Sequence, residues 1–154
     1  MIFATRVRLP ALCVLLAVGA GAQSLPSPSE FAGFEIGSDG NLVRWDRIVE
    51  YFETAAGRSD RVRVERLGAT NNGNPFILAT ISAADNLARL DQIRANQRRI
   101  AHPEALSEAE IEGLAWESPA VVLITNNIHA TEIGSSQSAL LIGRSRSRSR
   151  ECCW

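Results

Sequence analysis

Lysine is absent, and all 16 basic residues of the 154-residue chain are arginine. Between residues 23 and 143 the chain carries 10 Arg against 16 Asp plus Glu, a net charge of -6. Nucleic-acid backbones are held by clustered positive charge, so this acidic body argues against nucleic acid as a partner. Cysteine is scarce as well. Cys13 lies in an apolar N-terminal run, while Cys152 and Cys153 are adjacent near the other end. No disulfide framework can be built from such positions, and the body has to fold by burying apolar surface. Histidine occurs twice, as His102 and His129, which limits any imidazole-based metal site to these two positions. The most apolar run, within residues 9–22, is interrupted by Pro10. It falls short of the roughly 20 residues that a helix needs to cross a bilayer.

That run has another use. Arg6 and Arg8 precede it, and Ala20-Gly21-Ala22 follows with small residues at cleavage spacing. Residues 1–22 therefore read as a signal peptide, with Gln23 as the mature N-terminus, no stable membrane span after cleavage, and a secreted or periplasmic product. Residues 23–40, rich in Pro, Ser and Gly, read as a linker or irregular lead-in, with Phe31 and Phe34 as anchors. At the other end, residues 144–154 alternate Arg and Ser and then close on Glu-Cys-Cys-Trp. This stretch reads as an aberrant or disordered tail with no assigned chemistry.

Residues 41–143 are the expected domain. Leu42, Trp45, Ile48, Val49 and Phe52 recur at three- and four-residue steps, which predicts a helix over 41–56 capped by Asp39 or Asn41 and ending at Gly57. Trp45 and Tyr51 are read as packing residues. Residues 60–67 alternate and predict a strand, followed by the turn sequence Asn71-Asn72-Gly73-Asn74-Pro75 and a second, buried strand over 76–81. Leu87, Leu90, Ile93 and Ile100 mark another helix, its Arg residues turned to water, with His102 at its solvated end. Ser107 and Glu110 form a capping-box signature for a short helix carrying Ile111, Leu114 and Trp116. Val121-Val122-Leu123-Ile124, uncharged and β-branched, predicts a buried central strand over 120–125, and a last helix is expected over 131–142. The order describes an α/β fold: an incomplete mixed β-sheet flanked by helices.

Ligands of open α/β sheets gather beyond the carboxyl ends of strands, where Asn126-Asn127-Ile128-His129-Ala130-Thr131-Glu132 would lie. His129 and Glu132 are three residues apart, so a turn opening into a helix puts imidazole and carboxylate on one side, within reach of one cation. From spacing alone two readings stand: a structural hydrogen-bonded pair, or part of a metal site.

Three segments are similar to zinc metallocarboxypeptidases, the carboxypeptidase A-like (M14) peptidases. Leu67-Gly68-Ala69-Thr70-Asn71-Asn72-Gly73-Asn74 leads into an apolar strand, with Asn74 where the family commonly has Arg. The apolar run 121–125 is the second. The third, Ile128-His129-Ala130-Thr131-Glu132-Ile133-Gly134, resembles the family's His-x-x-Glu zinc motif. The resemblance spans about 42–142 and implies the N-terminal part of a catalytic domain. It further implies Zn²⁺ held by His129 and Glu132, and hydrolysis of a peptide bond at the C-terminus of a peptide or protein. It places a third zinc ligand (a histidine), a glutamate base and substrate-binding arginines later than Glu132. No histidine follows His129. The expectation is thus a fragment of an exported metallocarboxypeptidase that is inactive as this chain. The alternative is a small exported α/β binding or structural module in which His129 and Glu132 form no metal site. Substrate side-chain preference is not encoded in these residues.

Overall fold

The computed structural model describes residues 24–129 and 131–148. The signal peptide read over 1–22 and the end of the tail over 149–154 lie outside the described residues. The lead-in is not wholly irregular. Ser27 accepts a hydrogen bond from the Glu30 N–H at 3.1 Å, and the Glu30 carboxylate accepts the Ser27 N–H at 2.6 Å. This capping box, with Pro at the first position, starts helix α1 (Pro28–Ala32), which Gly33 stops at φ 83°.

Helix α2 (Trp45–Arg58) carries the apolar stripe read from the sequence, with Ile48, Val49, Tyr51, Phe52 and Ala55 buried. It starts four residues later than expected and is flanked by Arg44, with no side-chain cap. Neither Asp39 nor Asn41 caps it. Asn41 Nδ2 instead donates to the Ser38 hydroxyl and to the Asp39 carbonyl inside the preceding turn. Such local bonds compete with capping for the same side chain.

Strands β1 (Val62–Ala69) and β2 (Pro75–Ile81) form the expected antiparallel hairpin. Thr70 N–H donates to Asn74 O at 2.8 Å, and Gly73 takes φ 77°, the left-handed conformation for which the Asn-Gly pair is suited. The register shifts between Arg66 and Gly68, where Gly68 has φ 137°. Here one residue of β1 bulges out of the ladder. The second strand is half-buried, with Phe76 exposed.

Two helices replace the single one expected next: α3 (Ala84–Ala88) and α4 (Leu90–Ala101), joined at Arg89. His102 follows α4, exposed as read. A 3₁₀ turn (Pro103–Ala105) leads to α5 (Glu108–Glu117), whose capping box is formed by Ser107 and Glu110. Leu114 is buried there, whereas Trp116 is 84 % exposed.

The predicted central strand is not formed. Residues 120–125 form no regular element and lie in no ladder; Val121, Val122, Leu123 and Ile124 are all exposed, Val122 by 77 %. The sheet of the described residues is two-stranded, order β1-β2, not a mixed sheet. A β-branched run makes a strand only where a neighbouring strand offers its backbone groups. Among the described residues none lies alongside this one.

Helix α6 (Ile133–Arg148) runs past the expected end at 142 and takes in the first half of the Arg/Ser run. Its buried residues are Ser136, Gln137, Leu140, Gly143 and Ser147. Arg144 donates to the Leu25 carbonyl at 3.2 Å and the Ser147 hydroxyl to the Arg144 carbonyl at 3.0 Å. Arg146 and Arg148 lie in the last turn, where the helix dipole favours cations.

The core gathers where α6, α2 and the hairpin meet. Ile48, Tyr51, Phe52 and Leu140 are its buried cluster, with Leu25, Phe31, Ile36, Val43, Trp45, Val64, Ile77, Ala79 and Ala139 against it. Phe31 meets Tyr51 edge-on at 5.1 Å between centroids, and Tyr51 donates its hydroxyl to Pro26 O at 3.1 Å. Trp45 Nε1 donates to Pro75 O at 2.9 Å and pins α2 to β2. Both aromatics are packing residues, as read. The fold is thus small and α/β, with helices flanking a short antiparallel hairpin. No helix among the described residues is long and apolar enough to cross a membrane.

Candidate metal centre

Because α6 is anchored in the core through Leu140, its N-terminus has a fixed place, and the segment before it carries the two candidate ligands. His129 O accepts the Glu132 N–H at 3.2 Å, and Glu132 O accepts the Ser135 N–H at 3.0 Å, so these bonds tie His129 and Glu132 to the start of the helix. Glu132 stands immediately before the helix rather than inside its first turn. Its carboxylate folds back, and Oε1 lies 2.8 Å from His129 Nδ1. The spacing argument is met: the two side chains are on one side and their donor atoms converge. Both groups are open to water, with side chains 72 % and 45 % exposed for His129 and Glu132. An exposed pair of this kind contributes between zero and about 1 kcal/mol, too little to order the loop by itself.

The turn is held from elsewhere. Asn127 has φ 56°, and among the described residues it is the one non-glycine with a positive φ. Its backbone N–H donates to the Ser135 hydroxyl at 2.9 Å. Its side-chain amide donates to the Ser136 hydroxyl, and its side-chain oxygen accepts from Ser135. Asn127 therefore clasps two consecutive serines of the first turn of α6 while His129 and Glu132 lie between the fastened ends. The sequence reading missed this residue and both serines. The available signal was an Asn, the residue most tolerant of positive φ after Gly, eight positions ahead of a Ser pair at a helix start.

The chemistry of the donor set fits two positions of a zinc ion. Nitrogen and oxygen ligands at about 2.0–2.1 Å in tetrahedral geometry stand about 3.3 Å apart, so His129 Nδ1 and Glu132 Oε1 need to open by only about half an ångström. Nε2 of His129 is a second nitrogen available to a cation if the carboxylate keeps Nδ1. Among the described residues no group of three His, Cys, Asp or Glu side chains is assembled for a metal. His102, at the end of α4, is not brought to the pair in any such group. An open groove is lined by Ile124, Leu141, Ile142, Ser145 and Arg146, from the 120–125 segment and the outer face of α6, and includes neither His129 nor Glu132.

No family model, curated protein or solved structure matches this chain.

Proposed function

We propose that His129 and Glu132 are two arms of a zinc site of metallocarboxypeptidase type, a class whose reaction is hydrolysis of a C-terminal peptide bond, in an exported chain that does not complete that reaction by itself. The observation that carries the reading is the 2.8 Å approach of His129 Nδ1 to Glu132 Oε1 at the mouth of α6. The resemblance of the segments around Gly68–Asn74, 121–125 and 128–134 supports it. A bound zinc ion would supply Lewis acidity toward a carbonyl oxygen and a water of lowered pKa. In this chain His129 contributes an imidazole nitrogen and Glu132 a carboxylate oxygen, while Asn127, Ser135 and Ser136 hold the turn. Among the described residues no group of three His, Cys, Asp or Glu side chains is assembled around the pair. The 154-residue chain is accordingly expected to bind zinc weakly and to leave C-terminal peptide reporters uncut.

A second reading is favoured by one observation: the pair is already satisfied, imidazole against carboxylate, with no third donor assembled among the described residues. On that reading the chain is a small exported α/β binding or structural module, and the pair only closes a turn. X-ray absorption of the zinc-loaded full chain separates the two. One imidazole nitrogen and one carboxylate in the zinc shell, lost in His129→Ala, support the metal site. A shell of water alone, unchanged by that substitution, supports the module.

A further inference from the structure

The convergence of His129 and Glu132 cannot come from their own attraction. An exposed pair of this kind is worth less than the backbone entropy of even one or two ordered residues, and more than that is needed to bring the two side chains together. What fixes them is the clasp. Asn127 enters the turn in the left-handed region, which an L residue other than Gly or Asn resists. It then spends its backbone N–H and both ends of its amide on Ser135 and Ser136. Ser136 is buried, and it belongs to the same buried face of α6 as Leu140, so the fastening reaches the core. Ser135 has one hydroxyl proton and two acceptors for it, Asn127 Oδ1 and Glu132 O, the latter at 2.9 Å. Whichever takes it, the Ser135 oxygen still accepts the Asn127 N–H, and the same hydroxyl touches both the clasp and the backbone of Glu132.

We infer that Asn127 is the positioning residue of this site, setting the His129-to-Glu132 spacing through Ser135 and Ser136 without itself meeting a cation. Its importance for a metal rests on the zinc reading above; its effect on the pair does not. Asn127→Gly keeps the positive φ at little steric cost and removes only the amide clasp. Ser135→Ala/Ser136→Ala removes the clasp from the other side with Asn127 intact, which covers the case in which one variant folds poorly.

The test uses the full chain, metal-free and well above the ordinary histidine pKa. Imidazole ¹⁵N shifts give the tautomer of His129, told apart from His102 by a His102→Gln variant. A carboxylate on Nδ1 selects the Nδ1–H tautomer, so the native chain is expected to be rich in it and Glu132→Ala to lose it. Both clasp variants are expected to move at least halfway to the Glu132→Ala ratio, with the far-ultraviolet circular dichroism unchanged. A native-like ratio in both variants overturns the inference, as does a native ratio already equal to that of Glu132→Ala. Cobalt(II) added to the same samples tests the metal reading separately. No cobalt absorption in the native chain rejects the zinc site and leaves the tautomer result standing. Binding weakened at least fivefold in Asn127→Gly supports both, and binding equal to native rejects a role for Asn127 in holding metal.

Discussion

A Cβ placed on Gly143 would stand 2.7 Å from Phe52 Cε1 and 3.1 Å from its Cζ. The last helix therefore lies directly on the Phe52 ring of α2, and the absence of a side chain at 143 allows the approach. This contact places α6, and with it the turn bearing His129 and Glu132, against the core. Gly143→Ala sets two effects against each other. Overpacking against a buried ring costs about 1–3 kcal/mol, while replacing Gly inside a helix returns about 1 kcal/mol. The expected net is a destabilisation of about 1 kcal/mol, read by urea unfolding. In a Phe52→Leu background, where the ring is gone, the same change is expected to become neutral or stabilising.

Tyr51 is the one tyrosine of the chain, fully buried, its hydroxyl donating to Pro26 O. Burial pushes its pKa above the ordinary tyrosine value, and Arg144 and then Arg148 pull the other way less strongly. A raised pKa in the folded state means that its contribution is fully present below the unfolded value, near 10, and is lost as pH rises through the folded one. Stability should thus fall on the alkaline side, with the phenolate absorbance appearing at unfolding. Tyr51→Phe is expected to remove that alkaline limb and to cost about 1 kcal/mol at neutral pH. An alkaline titration of folded protein with an ordinary tyrosine midpoint would contradict the burial argument.

Acid should act on the other boundary. The Ser107 backbone N–H and then its hydroxyl, both donated to Glu110, hold that carboxylate below its ordinary value. A depressed pKa gives stability that is present above the unfolded value and lost as pH falls through the folded one. Amide exchange of α5 should accordingly speed up below the ordinary glutamate range, earlier than exchange in α2. Ser107→Ala is expected to produce the same fraying at neutral pH, and Glu110→Gln to make it insensitive to acid.

The segment at 120–125 presents uncharged, exposed apolar side chains beside backbone groups that no ladder uses. Unpaired backbone beside exposed apolar side chains is a template for pairing with another chain. Replacing Val122 and Leu123 with Glu should lower self-association in sedimentation velocity. The change in unfolding free energy should stay within about 0.5 kcal/mol, as for exposed positions without partners. A loss of several times that amount would show the segment packed in the folded chain.

How much of this was legible depended on distance along the chain. The hairpin, its Asn-Gly turn, the α2 stripe and the Ser107–Glu110 box are local, and each follows from residues within a few positions of one another. The run 120–125 misled because its β-branched apolar composition states a preference, while strand formation needs a partner elsewhere. The length of α6 was hidden for a different reason. Its buried face is Ser136, Gln137, Leu140, Gly143 and Ser147, so an apolar stripe was not there to be read, and small size rather than hydrophobicity fits it to Phe52. The His129–Glu132 pair was legible from a three-residue spacing. The Asn127 clasp, eight and nine residues long and dependent on one positive φ, was not.

Calorimetric titration of the metal-free full chain with Zn²⁺ bears most directly on the site. The account predicts one weakly bound ion per chain, with binding abolished by His129→Ala and strongly reduced by Glu132→Gln, while His102→Gln binds as the native chain does. Zinc uptake that survives His129→Ala, or no uptake by the native chain, would contradict it.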